Sequence, residues 1–298
     1  MKRRKVIEQT AKIIFTICAA IAILAVASIT FYLVAKGIPA AREVGIGQLL
    51  FTTSWRPTAS EPSYGIFFII LSSLVSTFAS ILIGVPIGLC TAVFLSEIAD
   101  RVTRSVVSSA VELLAAIPSV IYGLIGMMVL SPLMYRLEKA IFAGSTTHQF
   151  TGGANLLAAI IVLAIMILPT VISVSASSLQ AISDSLRYAS LALGATKMQT
   201  IWKVVVPAAK SGLLTGVVLG VGRALGEAMA INMVAGGSVN IPLPFNSVRT
   251  LTTQIVSEMG YAEGLHRRVL FTVGLVLYIF IMIVNFILLK ARRRELNE

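Results

Sequence analysis

Long apolar segments alternate with short polar ones along most of the chain. The uninterrupted apolar runs cover residues 13–35, 66–95, 113–130, 156–174, 213–234 and 269–289. Because about 20 apolar residues cross the hydrocarbon layer as a helix, this pattern predicts an all-α membrane protein with six transmembrane helices. The second run is longer and contains Pro86, so we expect it to bend or to project into the cytoplasm. The length of the first run favours a retained helix over a cleaved signal peptide.

Composition and charge agree with a membrane setting. Hydrophobic residues make up 57% of the 298 residues and charged residues 12%, which is far more apolar than an ordinary soluble domain. If both termini are cytoplasmic, the inner segments carry 15 of the 24 Lys and Arg residues and the outer segments eight. This asymmetry predicts a multi-pass protein of the cell membrane with both ends inside. The net charge of +11 then flanks the membrane segments, so we expect no nucleic-acid partner.

Residue types that carry catalysis or bind metals are scattered. Cys18 and Cys90 both fall in predicted spans, where they are expected to pack as small apolar residues. His148 and His266 are isolated, with no Cys or carboxylate at metal-ligand spacing. The chain also lacks a nucleophile arrangement and a Gly-Lys-Ser or Gly-Lys-Thr phosphate loop. We therefore expect no catalytic residue, no metal, no cofactor and no ATP site in this chain.

The longest predicted cytoplasmic connection lies between the fourth and fifth spans. Its sequence, SDSLRYASLALGATKMQTIWKVVVPAAKSG, predicts a helix, a turn at Gly194, a second short helix and then Pro207. Apolar residues such as Ala189 and Leu191 give the first helix an apolar surface. That surface fits a knob that docks into another protein, and it equally fits an amphipathic helix lying on the membrane.

The fifth run carries two charges near its middle. On a continuous helix, residues about four apart share a face, so Gly216, Gly220, Arg223 and Glu227 are predicted to form one stripe. The glycines permit close helix approach. A charge inside the membrane costs roughly 2.5 to 3.5 kcal/mol, so the stripe is expected to face protein or water.

Two interpretations of these charges are open. Arg223 and Glu227 can neutralise one another as an ion pair that braces helices. Alternatively, Arg223 offers forked donors to an oxyanion that crosses the membrane, and Glu227 orients Arg223. In the second interpretation the Glu227 carboxylate also accepts the proton of hydrogenphosphate, which disfavours fully deprotonated sulfate.

The cytoplasmic connection resembles the coupling loop of ABC-importer permeases, in which an EAA triplet is followed by a Gly and later by a Pro. Tyr188, Ala189 and Ser190 take the triplet positions, and Gly194 and Pro207 take the other two. Tyr188 stands where the family usually has Glu. Further stretches, AIPSVIYGLIG, LAIMILPT and GVGRALGEAMA, are similar to the phosphate-importer permeases from about residue 65 to the C-terminus. The ending SVRTLTTQIVSEMGYAEG is more similar to the PstC subunit than to its partner PstA.

This resemblance implies a type I ABC-importer permease fold with a cytoplasmic coupling helix. Residues 1–64 would hold a cytoplasmic tail, the first transmembrane helix and an outer loop. Residues 65–298 would form the transport domain, with the coupling loop at about 178–212. The implied partners are a PstA-like permease subunit, two PstB-like ATPase subunits, a PstS-like external phosphate-binding protein, inorganic phosphate and the lipid bilayer.

The same resemblance implies functions for the residues singled out above. Arg223 and Glu227 would line the substrate path, and the triplet with Gly194 and Pro207 would couple to the ATPase. Two alternatives remain open. One is a permease for sulfate or molybdate, and the other is a self-sufficient secondary transporter or anion channel, which would predict a repeat between the two halves.

Overall fold

Helices form nearly all regular structure in the computed structural model of the chain. The structure describes residues 2–296, with side chains described for residues 8–290. The helices and strands, in chain order, are α1 (Lys2–Val44), α2 (Ile46–Phe51), β1 (Trp55–Arg56), β2 (Ser63–Tyr64), α3 (Phe67–Val93), α4 (Arg101–Ala116), α5 (Ser119–Ile125), α6 (Ser131–Ile141), α7 (Leu156–Gln180), α8 (Asp184–Ala192), α9 (Lys197–Thr200), α10 (Val206–Ala208), α11 (Lys210–Gly226), α12 (Met229–Val234), α13 (Leu251–Glu258) and α14 (Gly264–Leu296). Wide π-helical turns follow three of the helices, at Phe94–Ile98, Gly126–Leu130 and Ile201–Val205. The strands β1 and β2 pair as a short antiparallel hairpin.

Five helical segments are long and apolar enough to cross a membrane. They are Glu8–Val44, Phe67–Ile98, Ser119–Ile141, Leu156–Gln180 and Gly264–Lys290. A sixth span is formed if the pair Lys197–Ala208 and Lys210–Gly226, which is bent by 69°, counts as one. The prediction of an all-α membrane protein with six transmembrane helices is therefore confirmed, and its fifth member is broken.

The third span begins later than predicted. The sequence pattern placed it at 113–130, but α4 ends at Ala116 and a new helix begins at Ser119. Pro118 causes the break, because a residue before proline is pushed into extended backbone, and Ile117 has φ −67° and ψ 125°. Residues 113–116 belong to α4, which Asp100 caps by accepting hydrogen bonds from the backbone N–H groups of Val102 and Thr103. Its hydrogen bonds to Thr103 hold the pKa of Asp100 below its usual value.

The fifth apolar run is not one helix, so the predicted span at 213–234 is wrong at its C-terminal end. The helix α11 ends at Gly226, and Glu227 has extended backbone with φ −74° and ψ 129°. Two contacts stabilise the break. The Glu227 carboxylate accepts a hydrogen bond from the Ala230 N–H (2.9 Å), and the Thr252 hydroxyl donates to the Glu227 carbonyl oxygen (2.7 Å).

The helix α7 lies at the centre of the bundle, with α3 and α11 packed against it. The glycines of α11 make this contact close, since a Cβ at Gly220 would lie 2.7 Å from Cγ2 of Val171. A Cβ at Gly216 would lie 2.8 Å from Oγ of Ser175. Both distances are too short for a larger residue, so the predicted close approach at these two glycines is confirmed.

The first helix and the loop between the first and second spans are attached to the last span and to α13. The helix α1 packs along α14, and the Thr272 hydroxyl donates to the Gly37 carbonyl oxygen (2.8 Å). Farther along this loop, Trp55 donates from Nε1 to the buried Glu258 carboxylate (3.0 Å to Oε2). The loop that contains the hairpin is therefore held by a polar contact as well as by apolar packing.

Candidate functional site

Arg223 lies in the last turn of α11, at the edge of the surface that packs on the bundle. Its neighbours Ala224 and Leu225 are buried, Gly222 is exposed, and Arg223 itself is half-buried. Nη1 of Arg223 donates to the Thr170 hydroxyl of α7 at 3.2 Å. Within the described part of the chain, no acidic side chain lies within 4.0 Å as an ion-pair partner of Arg223. Because a guanidinium has five N–H donors, most of its donors remain available to water or a ligand.

Glu227 occupies a different setting, at the turn between α11 and α12. One of its oxygens accepts the hydrogen bond from Ala230, so the carboxylate caps α12. The ion pairs among the described residues do not include one between Glu227 and Arg223. The predicted single stripe and the bracing ion pair are therefore contradicted, because the helix ends between the two residues. No contact within ion-pair distance supports orientation of Arg223 by Glu227.

Thr170 was not identified from the sequence, although it is the protein partner of Arg223. It follows Pro169 in α7, and its hydroxyl is one of few polar groups in that stretch. The sequence signal that could have identified Thr170 was a hydroxyl residue beside a proline in a predicted span. The Tyr122 side chain is buried, and its hydroxyl donates to the Leu114 carbonyl oxygen (2.7 Å). Unlike the donors of Arg223, this hydroxyl donor is already used within the chain.

The connection between the fourth and fifth spans has the predicted helix, turn and helix. Ser183 caps α8, and Gly194 has φ +88°, a conformation that glycine adopts at little cost after a helix. Thr196 then begins α9 with a capping box to Gln199. Tyr188 is 68% exposed and Leu193 is 90% exposed. The connection presents apolar side chains that the described part of the chain does not cover, which fits a docking knob as well as a helix lying on the membrane.

A hydrogen bond within the connection joins α8 to α9. The Ser190 and Thr200 hydroxyls are 3.0 Å apart and share a hydrogen bond. Pro207 lies in α10, directly before the 69° bend that leads into α11. The triplet, the glycine and the proline therefore all lie in one folded element.

A partly buried ion pair attaches this element to the second span. Nη2 of Arg187 lies 2.7 Å from Oε1 of Glu97, and Nε lies 3.2 Å from Oε2. Nη2 of Arg187 also donates to the Leu179 carbonyl oxygen at 2.9 Å, and Nη1 donates to the Ile182 carbonyl oxygen. The hydrogen bonds to Glu97 raise the pKa of Arg187 above its usual value. Sequence reasoning missed this pair, because 90 residues separate its members.

Both histidines contact buried carboxylates, so the prediction that they are isolated is wrong. Nε2 of His148 lies 2.8 Å from Oε1 of Glu138, and Nε2 of His266 lies 2.7 Å from Oε2 of Glu258. Glu258 also pairs with Arg249 at 2.5 Å. No group of three or more His, Cys, Asp or Glu side chains arranged to hold a metal occurs among the described residues. The first contact fixes the loop after α6 to that helix, and the second joins α13 to α14.

Comparison with known proteins identifies the family. The family model described as binding-protein-dependent transport system inner membrane component matches residues 84–296. The probable ABC transporter permease protein YqgH of Bacillus subtilis is 41% identical, and the match covers 98% of this chain and 94% of that protein. The phosphate transport system permease protein PstC of Haemophilus influenzae is 35% identical over 78% of this chain and 76% of its own length. PstC of Pasteurella multocida is 33% identical, covering 83% and 81%.

Solved structures support the same fold. A bacterial ABC transporter that imports the acidic polysaccharide alginate matches with a TM-score of 0.59 at 18% identity, over 92% of this chain and 95% of that one. The MetNI methionine ABC transporter matches with a TM-score of 0.52 at 25% identity, over 78% and 94%. The chain therefore belongs to the binding-protein-dependent transport system inner membrane component family, the permease subunits of ABC importers.

Proposed function

We propose that this chain is a permease subunit of an ATP-driven phosphate importer. The observation that carries the proposal is Arg223, a half-buried cation on a membrane helix with one protein hydrogen bond and no described acidic partner. A charge within a membrane span is costly, so such a residue is by default a candidate for a functional site. Its planar donors match the oxygens of phosphate. The PstC relatives, which are phosphate transport permeases by name, support the same substrate.

Glu227 extends the proposed path. One carboxylate oxygen caps α12, and the other has no hydrogen-bond partner among the described residues. A carboxylate oxygen accepts and does not donate, so it favours an anion that still carries a proton. Hydrogenphosphate meets this requirement, whereas sulfate and molybdate at neutral pH do not.

This preference gives the test of the function. Phosphate uptake is measured in proteoliposomes that contain this chain with its partner subunits, ATP inside and the external binding protein outside. We expect ATP-dependent phosphate uptake that excess sulfate or molybdate does not reduce. Uptake of sulfate or molybdate in preference to phosphate would contradict the proposal.

The proposed assembly contains a PstA-like second permease, PstB-like ATPase subunits and a PstS-like external binding protein. In it, the exposed surface formed by Tyr188 and Leu191 of α8 and by Leu193 directly after it docks on an ATPase subunit. Both termini of the chain lie in the cytoplasm, on the same side as this surface. The excess of Lys and Arg in the inner segments supports that orientation.

Gly194→Asp tests the docking surface. The substitution adds a charge at a left-handed turn with open space around it, so the chain is expected to insert and fold while the ATPase dissociates. The measurement is ATPase co-purified per permease, together with phosphate uptake. Gly194→Asn is the matched control, because it has similar size and tolerance of the turn without the charge, and it should retain more ATPase. Full retention of ATPase and uptake in Gly194→Asp would exclude docking of the ATPase at this loop.

A further inference from the structure

A cavity of about 480 Å³ lies between the cytoplasmic connection and the inner ends of the second span and α4. Polar side chains form much of its wall, including Ser96, Gln180 and Thr200. Tyr188 and Leu191, which are exposed on α8, also line it. The cavity therefore adjoins the surface that we propose for ATPase docking.

The charges around this cavity do not cancel. Glu97 and Asp184 both pair with Arg187, so these two acids already have a cationic partner. Arg104 and Lys197 also line the cavity, and neither has an acidic partner within 4.0 Å in the described part of the chain. The wall thus keeps one net positive charge and two cations able to bind an anion.

Arg104 supplies a second observation. Its Nη2 donates to the Ser96 carbonyl oxygen (2.9 Å), which fixes the guanidinium against the end of the second span. Its Nη1 has no hydrogen-bond partner among the described residues and is not buried, so this end of the guanidinium is accessible to a ligand. Because a guanidinium donates only, it requires an acceptor there. An entering carboxylate would supply that acceptor and a charge of the required sign.

We propose that this cavity receives an Asp or Glu side chain of the ATPase subunit when that subunit docks on α8. The proposal rests on the proposed function, because it requires an ATPase on that surface. A subunit that covers Tyr188 and Leu191 brings its side chains to the cavity. The two cations that have no acidic partner among the described residues suit a carboxylate, and the exposed Tyr188 and Leu191 beside them suit the surface of a protein subunit. The carboxylate would bind between Arg104 and Lys197 and fix the register of the two subunits.

Charge reversal of Lys197 tests the proposal. Lys197→Glu places an acid at the first position of α9, where negative charge is favourable, so the loop should keep its fold. Lys203→Glu is the matched control, because Lys203 is an exposed lysine of the same loop that does not line the cavity. In the purified full complex, we expect Lys197→Glu to weaken ATPase binding about tenfold and Lys203→Glu to change it less than about twofold. Arg104→Glu should match Lys197→Glu, and thermal unfolding of each variant checks that it is folded.

Compensating changes identify the occupant. Acidic surface residues of the ATPase are changed to Lys one at a time, and one of them should restore binding to the Lys197→Glu permease. Binding that depends on added phosphatidylglycerol, and on none of these ATPase changes, would assign the cavity to a lipid headgroup and overturn the proposal. If Gly194→Asp releases the ATPase while Lys197→Glu and Arg104→Glu behave like Lys203→Glu, the cavity proposal fails and the proposed function stands. If Gly194→Asp keeps the ATPase, docking on this loop fails first.

Discussion

Arg223→Met is expected to abolish phosphate uptake while leaving the complex assembled. The substitution removes one hydrogen bond to Thr170 and leaves no described acid without its partner, so its cost in stability is small. It also removes every forked donor from this part of the proposed path. Loss of a desolvated charge that binds an oxyanion is expected to lower the rate of phosphate uptake at least about 100-fold. The measurement is phosphate uptake in proteoliposomes, normalised to assembled complex.

Three further variants separate binding of phosphate from support of the helices. Arg223→Lys keeps the charge and loses the bidentate geometry, so we expect reduced uptake. Thr170→Val removes the hydroxyl that contacts Arg223, and uptake should fall less than in either Arg223 variant. Arg223→Met combined with Glu227→Leu should remain inactive, because no ion pair between the two charges is relieved. Near-normal uptake by this double variant would show that neither charge serves the substrate.

Structural features that depend on residues close together in the chain were predicted well. Gly194 sits between two short amphipathic segments, and the backbone there has the positive φ that glycine alone adopts easily. The spans followed from apolar length, because a helix that crosses lipid must satisfy its backbone internally. The close contacts at Gly216 and Gly220 followed from their spacing on one helix. In each of these cases, the determining residues are near one another in the chain.

Features that depend on distant residues were not predicted. The end of α11 at Gly226 is stabilised partly by Thr252, which lies 25 residues beyond Glu227. Apolar composition continues across that break, so a hydropathy pattern cannot reveal it. Glu258 likewise accepts a hydrogen bond from Trp55, which lies 203 residues earlier in the chain. The prediction that Arg223 and Glu227 share one stripe was wrong for this reason. It assumed one helix, whereas tertiary contacts divide the segment into two.

Arg187→Gln is expected to destabilise the protein far more than Glu97→Gln, although each removes half of the same ion pair. Without Arg187, the Glu97 carboxylate, 8% exposed, has no donor among the described residues, and the Leu179 and Ile182 carbonyl oxygens each lose one. Stranding a buried charge costs about 3 to 5 kcal/mol. Because Arg187 is 18% exposed, we expect about 2 to 3 kcal/mol here.

Glu97→Gln leaves Arg187 with the two carbonyl oxygens and Asp184, so the expected cost is about 1 kcal/mol. The double variant should be more stable than Arg187→Gln alone, since no carboxylate is then stranded. Arg268→Gln is the control. It breaks the exposed pair of Arg268 with Glu43, whose side chains are 46% and 51% exposed, and should cost less than about 1 kcal/mol. The measurement is thermal unfolding of the purified complex with ATPase co-purification. Equal destabilisation by Glu97→Gln and Arg187→Gln would show that Arg187 stabilises the loop through Glu97 alone and that its carbonyl contacts contribute nothing.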